Sequence, residues 1–131
     1  MTDALCCCGR LDARGKAMPW ATCCGPYLDG PALPPDAEAL MRSRYSAFVR
    51  ERADYLLATW HPDTRPPELT FDPGTKWLGL QVRSHHQTDP THAEVEFVAR
   101  SRVAGRGQRL HERSRFVHEN GRWYYVDGDL F

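Results

Sequence analysis

The cysteines are the most constraining feature of the chain, because all five fall between Cys6 and Cys24. The residues around them, 1–35, are rich in proline and glycine and lack sustained apolar periodicity, so they cannot build a hydrophobic core alone. The N-terminus shows no secretory signal, and no stretch is long and apolar enough to span a bilayer. We therefore expect a cytoplasmic protein with reduced thiols, and clustered reduced thiols indicate a metal site rather than disulfides.

Length and charge exclude several classes of protein. A chain of 131 residues is one domain with a short appendage, which excludes a multidomain enzyme. Lys and Arg number 17, as do Asp and Glu, so the net charge is zero. The chain as a whole is therefore neither a basic nucleic-acid binder nor an acidic tail, and a charged partner has to be bound by a local patch.

Helical periodicity begins at Asp36, a residue suited to cap a helix N-terminus. Apolar residues then recur every three or four positions, which predicts a helix over about residues 36–50. A second, shorter helix is predicted from Ala53 to about Trp60, ended by His61-Pro62.

After Pro73-Gly74 the apolar period becomes two, which is typical of strands. The first turn signal in this half is Gly105-Arg106, and as a two-residue loop it places Val95 opposite Phe116 and Ala99 opposite Glu112.

Asn120-Gly121 is the strongest hairpin signal in the chain. As a two-residue loop it places Phe116 opposite Tyr125 and Ser114 opposite Asp127. One face of the resulting meander collects six apolar residues, Val95, Phe97, Leu110, Phe116, Trp123 and Tyr125. The same face also carries four polar ones, Glu112, Ser114, His118 and Asp127.

Helices followed by an antiparallel sheet indicate an α+β fold, in which N-terminal helices pack on a curved antiparallel sheet. A sheet that curls around the long helix leaves a cavity lined by the polar residues of its inner face. We predict two units, a cysteine-rich metal-binding segment over residues 1–35 and an α+β cone domain over residues 36–131.

Cys6-Cys7-Cys8-Gly9, followed by Cys23-Cys24-Gly25, resembles the SEC-C motif, a small zinc-binding element found at the C-terminus of the SecA translocation motor. Further runs over nearly the whole chain resemble the YchJ family of bacterial proteins: Gly25–Leu28, Ala39–Ser46, Tyr55–Pro62 and Gly121–Gly128. The resemblance implies a metal element joined to a cystatin-like cone similar to nuclear transport factor 2 and SnoaL-like proteins. The loop Gly9–Thr22 is longer than the motif usually has.

Zinc prefers four tetrahedral thiolate or imidazole ligands, and a structural site takes all four from the protein. Together with the resemblance to the SEC-C motif, this ligand preference implies that the zinc ligands are Cys6, Cys8, Cys23 and Cys24. Cys7 is then a spare thiol that can substitute for Cys6 or Cys8. Unliganded or oxidised thiols, an iron–sulfur cluster and a redox pair at Cys23 and Cys24 are the alternatives.

The inward-facing polar residues are the second candidate site. Buried carboxylates need a partner or a proton, and Arg44 on the first helix supplies a positive charge near Glu112 and Asp127. With Ser114 and Tyr125 they form either an acid/base pocket of the isomerase or dehydratase kind or a structural ion pair that seals the cone.

The outward positions of the same strands carry an arginine stripe, Arg100, Arg102, Arg109, Arg113 and Arg115. It is either a solvated sheet face or a phosphate-binding surface for RNA or the ribosome.

The resemblance of the cysteine motif to the SecA tail, a partner-binding element, implies by analogy a non-enzymatic zinc-binding accessory or adapter protein, whose metal element contacts a protein or ribosomal partner. The first alternative is a cone domain that binds or converts a small ligand, and a weaker alternative is association with RNA through the arginine stripe.

Overall fold

The computed structural model describes residues 4–131 and arranges a helical first half against a four-stranded antiparallel sheet. A short 3-10 helix (Trp20–Thr22) precedes three α-helices, α1 (Gly25–Leu28), α2 (Ala37–Val49) and α3 (Ala53–Ala58). The strands follow as β1 (Thr75–Asp89), β2 (His92–Val103), β3 (Arg106–Glu119) and β4 (Arg122–Leu130), and they lie in the sheet in chain order. None of the helices within residues 4–131 is long and apolar enough to cross a membrane.

The curved sheet packs around helix α2. The Asp36 carboxylate accepts a hydrogen bond of 2.8 Å from the Ala39 backbone N–H, so the predicted N-cap is confirmed. Leu40, Met41 and Tyr45 are buried against the sheet. The α+β fold predicted from the sequence, with N-terminal helices on a curved antiparallel sheet, is confirmed.

The turn between β2 and β3 differs from the predicted one. Its two residues are Ala104 and Gly105, whose φ angles of 51° and 79° are those of a type I′ turn. Phe97 consequently lies opposite Glu112 rather than Ser114, and the predicted register was wrong by two residues. A shift of two preserves the side to which each residue points, so the predicted inner face is unchanged on these strands.

The turn at Asn120 and Gly121 is as predicted, and Phe116 lies opposite Tyr125. Beyond that pair a bulge adds Val126 to β4, so that Arg115 lies opposite Asp127. One extra residue reverses the alternation of side chains, and Asp127 is therefore on the outer face of the sheet. The prediction that Asp127 faces the cone interior opposite Ser114 was wrong.

The cysteine-rich segment packs on the rest of the fold. Four of its cysteines belong to the same buried cluster as Leu40 of α2 and Val95 of β2. Hereafter the knuckle means residues 4–28.

Candidate metal centre and cone cavity

The four predicted ligands, Cys6, Cys8, Cys23 and Cys24, come together in the knuckle. Their sulfur atoms all lie within 4.8 Å of one another, and all four residues are buried. A tetrahedral zinc ion with Zn–S bonds of about 2.3 Å separates its ligand sulfurs by about 3.8 Å. The Cys8 and Cys23 sulfurs lie 3.5 Å apart and all four lie within 4.8 Å, so only small shifts are needed to enclose an ion. The cluster is therefore capable of binding a metal.

Local structure delivers these cysteines in two pairs. A narrow hairpin connects the first pair, Cys6 and Cys8, to the second pair, Cys23 and Cys24. Isolated β-bridges link its two arms, between Leu5 and Pro19 and between Leu11 and Ala17. Cys23 and Cys24 follow the 3-10 helix directly and precede α1. The loop Gly9–Thr22, which is longer than the motif usually has, thus contains this hairpin. The hairpin brings the second cysteine pair back to the first.

Contacts among the sulfurs and burial shift the pKa values of the cysteines. Hydrogen bonds from Cys24, Cys7 and Cys8 lower the pKa of Cys6. The same contact with Cys6 raises the pKa of Cys24, and burial raises the pKa of Cys23 to about 12. Four thiolates this close together would require a cation to compensate their charge.

Cys7 lies outside the group of four. Its sulfur is 3.4 Å from the Ser46 hydroxyl oxygen, and the Cys6 sulfur lies 3.6 Å from the same oxygen. Ser46 is fully buried on α2, so it supplies a polar contact from the cone domain to the sulfurs. The sequence reasoning missed Ser46, because nothing in its local sequence marks it as a neighbour of the cysteines.

Two further contacts hold the knuckle on the cone domain. Arg42 of α2 donates a hydrogen bond of 2.8 Å to the Cys8 carbonyl, and the Arg50 guanidinium lies 3.6 Å from the centre of the Trp20 ring. Gly9, at a φ of 82°, runs so close to β1 that a Cβ atom would lie 2.6 Å from the Leu80 carbonyl oxygen. Only glycine satisfies both the left-handed conformation and this approach.

The second site is a cavity of about 290 Å³ between α2 and the sheet, hereafter the cone cavity. Aromatic side chains dominate its wall, with Arg44, Glu112 and Ser114 as the polar members. Four of the five predicted pocket residues line it: Arg44, Glu112, Ser114 and Tyr125. The lining aromatic residues are Tyr45, Phe48, Trp60, Trp77, Phe97, Phe116 and Tyr125.

Arg44 is 5% exposed and is held without a carboxylate. Its Nη1 donates to the Leu56 carbonyl at 2.8 Å and to the Thr59 hydroxyl at 2.7 Å. Its guanidinium carbon lies 5.0 Å from the Trp60 ring centre and 4.7 Å from that of Tyr125. Burial lowers the pKa of Arg44 to about 10, which still leaves it a cation at neutral pH.

Glu112 lies on the sheet side of the cone cavity. Its Oε2 accepts hydrogen bonds from the Ser114 hydroxyl and, at 3.3 Å, from the Tyr125 hydroxyl. Gly128 leaves room for this carboxylate, because a Cβ atom there would lie 2.6 Å from Oε2. None of the ion pairs among residues 4–131 involves Arg44 or Glu112, so the predicted structural ion pair does not form.

Asp127 does not line the cone cavity with Arg44 and Glu112. On the outer face it accepts a hydrogen bond of 2.6 Å from Arg115, which also contacts Asp129 at 2.8 Å. The cavity thus contains one carboxylate from the protein, and the predicted pair of carboxylates is not assembled.

The arginine stripe is partly neutralised. Arg113 forms an ion pair with Glu96 at 3.0 Å, and Arg115 forms ion pairs with Asp127 and Asp129. Arg100 and Arg109 lie directly opposite each other and are exposed. A role for the stripe in RNA association stays a prediction.

Comparison with known proteins identifies the family of the chain and related structures. The family model described as "YchJ, middle NTF2-like domain" matches residues 36–128. A UPF0225 protein from Polaromonas sp. is 70% identical over 98% of this chain and 95% of its own length. A UPF0225 protein from Bordetella pertussis is 60% identical over 88% of this chain and 90% of its own length.

Two solved structures have the same fold. The solution structure of a SEC-C motif containing protein from Rhodopseudomonas palustris superposes with a TM-score of 0.81 at 34% identity, covering 98% of this chain and 99% of that one. The crystal structure of a SEC-C motif containing protein from Psychrobacter arcticus gives a TM-score of 0.77 at 30% identity, covering 94% of this chain and 80% of that one.

Proposed function

The chain belongs to the YchJ family, and we propose that it is a zinc-binding accessory protein whose knuckle contacts another macromolecule. The observation that carries the proposal is the group of four buried cysteine sulfurs within 4.8 Å of one another. An all-thiolate tetrahedral set suits zinc, and it also suits iron, so the identity of the metal is part of the proposal.

The closed ligand set supports a structural rather than a catalytic metal. A catalytic zinc keeps one coordination position for water or substrate, whereas four protein ligands leave none. Their burial also keeps solvent away from the ion. The metal would therefore hold the knuckle in shape, and the cytoplasm is the compartment that keeps its thiols reduced.

The knuckle hairpin supports contact with an acidic protein segment. Leu11 is 59% exposed at the hairpin and is available to contact a partner. Arg10, Arg14 and Lys16 surround it in sequence. The carboxylate of Asp12 is engaged locally, since it accepts the backbone N–H groups of Arg14 and Lys16. The hairpin thus presents an apolar side chain with excess positive charge.

The test for the metal is elemental analysis with native mass spectrometry on protein purified without added metal. We expect one zinc ion per chain, lost in Cys24→Ser and retained in Cys7→Ser, its matched control outside the group of four. Iron in the protein, or equal metal loss in both variants, would contradict the proposal.

The test for the partner is covalent cross-linking in cytoplasmic extract followed by capture. We expect one cross-linked protein with an acidic contact segment, lost on chelation and in Leu11→Glu. Leu33→Glu is the control, because Leu33 is also exposed, at 49%, but lies outside the knuckle. Cross-links that persist after chelation would place the contact elsewhere.

A further inference from the structure

The cone cavity carries an inference that is independent of the metal. We propose that it binds a small aromatic monocarboxylic acid bearing a ring hydroxyl, with the carboxylate on Arg44 and the hydroxyl on Glu112. Aromatic side chains dominate the cavity wall, and its two charged groups, Arg44 and Glu112, do not pair with each other.

The cavity has the size and wall of a site for a single aromatic ring. Its volume of about 290 Å³ lies at the lower end of the range for small-molecule sites. Aromatic side chains from α2, β1 and β2 line it, including Tyr45, Trp77 and Phe97. Aromatic walls stack on a ring or meet its edge, which favours a planar ligand over a flexible aliphatic one.

Arg44 supplies the site for an anion. Taking a guanidinium out of water is costly, and proteins normally offset the cost with a carboxylate. Here the protein provides two hydrogen-bond acceptors, both to Nη1, and two aromatic faces. No acceptor among residues 4–131 bonds Nη2 or Nε, and a planar fork of this kind matches a carboxylate.

Glu112 determines which second polar group the ligand carries. Its Oε2 takes both hydrogen bonds that the described residues donate, from Ser114 and Tyr125, and its Oε1 takes none. A ring hydroxyl donates to a carboxylate oxygen, whereas a second ligand carboxylate would be repelled. The pairing therefore favours a hydroxylated monocarboxylate over a dicarboxylate or a hydrocarbon.

The probe is 4-hydroxybenzoate, titrated into the full-length protein and followed by the indole N–H signals of its tryptophans in NMR spectra. Trp60 and Trp77 line the cavity, whereas Trp20 lies in the knuckle and Trp123 elsewhere in the core. We expect the first two signals to shift and the other two to stay. The neutral analogue 4-hydroxybenzyl alcohol should bind about tenfold more weakly, because it lacks the charge-assisted contact to Arg44.

Substitutions test whether the positive charge of Arg44 binds the carboxylate of the probe. Arg44→Gln should weaken binding of 4-hydroxybenzoate about tenfold without a comparable effect on the alcohol. Because Arg44 is buried and its loss can affect folding, a second pair uses Leu110, which lines the cavity and is 39% exposed. Leu110→Glu places a negative charge at the cavity, and it should bind the carboxylate more weakly than Leu110→Gln does.

Three results would overturn the proposal. One is the absence of any shift at Trp60 and Trp77 with millimolar probe. Another is equal affinity for the acid and the alcohol. The third is equal affinity of Leu110→Glu and Leu110→Gln for the acid, which would show that charge in the cavity does not govern binding.

Discussion

The knuckle and the cone cavity both bury polar groups, and they do so in opposite ways. In the knuckle, four side chains of one kind converge until their sulfurs are within 4.8 Å, close enough for a single cation to contact all of them. In the cone cavity, Arg44 and Glu112 are held on separate hydrogen bonds and form no ion pair with each other. The knuckle gathers like groups at one point, whereas the cavity contains two opposite charges that do not pair with each other.

This difference predicts where the protein depends on a bound group for its stability. The knuckle has little core of its own, so we expect its stability to depend on a bound metal. The cone domain has α2 and a four-stranded sheet, and we expect it to retain its fold whether the cavity is filled or empty. The following predictions test that contrast.

The largest effect is expected from breaking the metal centre. Cys24→Ser should lower the free energy of unfolding by more than about 4 kcal/mol, because the metal's binding energy is lost with the ligand. Cys7→Ser should change it by less than about 1 kcal/mol. Chemical denaturation measures both, and hydrogen exchange should show fast exchange in the knuckle of Cys24→Ser with slow exchange remaining in the strands. Loss of protection throughout the sheet would contradict the contrast.

A smaller effect is expected from loosening the contact between the knuckle and β1. Gly9→Ala places a Cβ atom 2.6 Å from the Leu80 carbonyl, in addition to the strain of a φ of 82°. We expect a loss of about 3 kcal/mol, against about 1 kcal/mol for Gly15→Ala, which has a φ of 78° but no atom within 4 Å of the added carbon. Thermal unfolding distinguishes them. Equal losses would mean that knuckle and sheet are not tightly packed.

The smallest effect concerns pH and reports on the cavity wall. Burial, followed by the nearby Glu112 charge, raises the pKa of Tyr125 to about 12. The folded state therefore holds the phenolic proton more tightly than the unfolded state, whose tyrosine pKa is about 10. This contribution is complete below pH 10 and is lost as the pH rises towards 12.

Tyr125→Phe should therefore reduce the decline in stability between pH 10 and pH 12, by about 1 kcal/mol given the partial exposure of the side chain. Tyr124→Phe, one position along β4, is the control. Denaturant midpoints measured at a series of alkaline pH values provide the check. An unchanged decline in Tyr125→Phe would mean that other groups, such as the similarly buried Tyr45 and Tyr55, account for it.

Much of the fold was predictable because its signals are local. Asp36 marks the start of α2, and Asn120-Gly121 marks the last hairpin, since each acts within a few residues of itself. The four cysteines of the metal centre were identified from their pairing along the chain and from the resemblance to the SEC-C motif.

The failed predictions concern strand register. Ala104 adopts a positive φ that its residue type does not favour, and this moved the turn by one position and the register by two. The bulge at Val126 left no mark that the alternation pattern could detect, yet it moved Asp127 to the outer face. A register error of two preserves a face, whereas a single added residue reverses it.

The sequence by itself determined α2 and α3, the strands, the inner face of β2 and β3 and the cysteine pairs, because each follows from backbone preferences and spacing over short distances. Only the tertiary structure decided that Ser46 meets the sulfurs, that Thr59 and Trp60 hold Arg44, and that Arg44 and Glu112 remain unpaired. These contacts join residues far apart in the chain, and their geometry depends on how α2 and the sheet pack together.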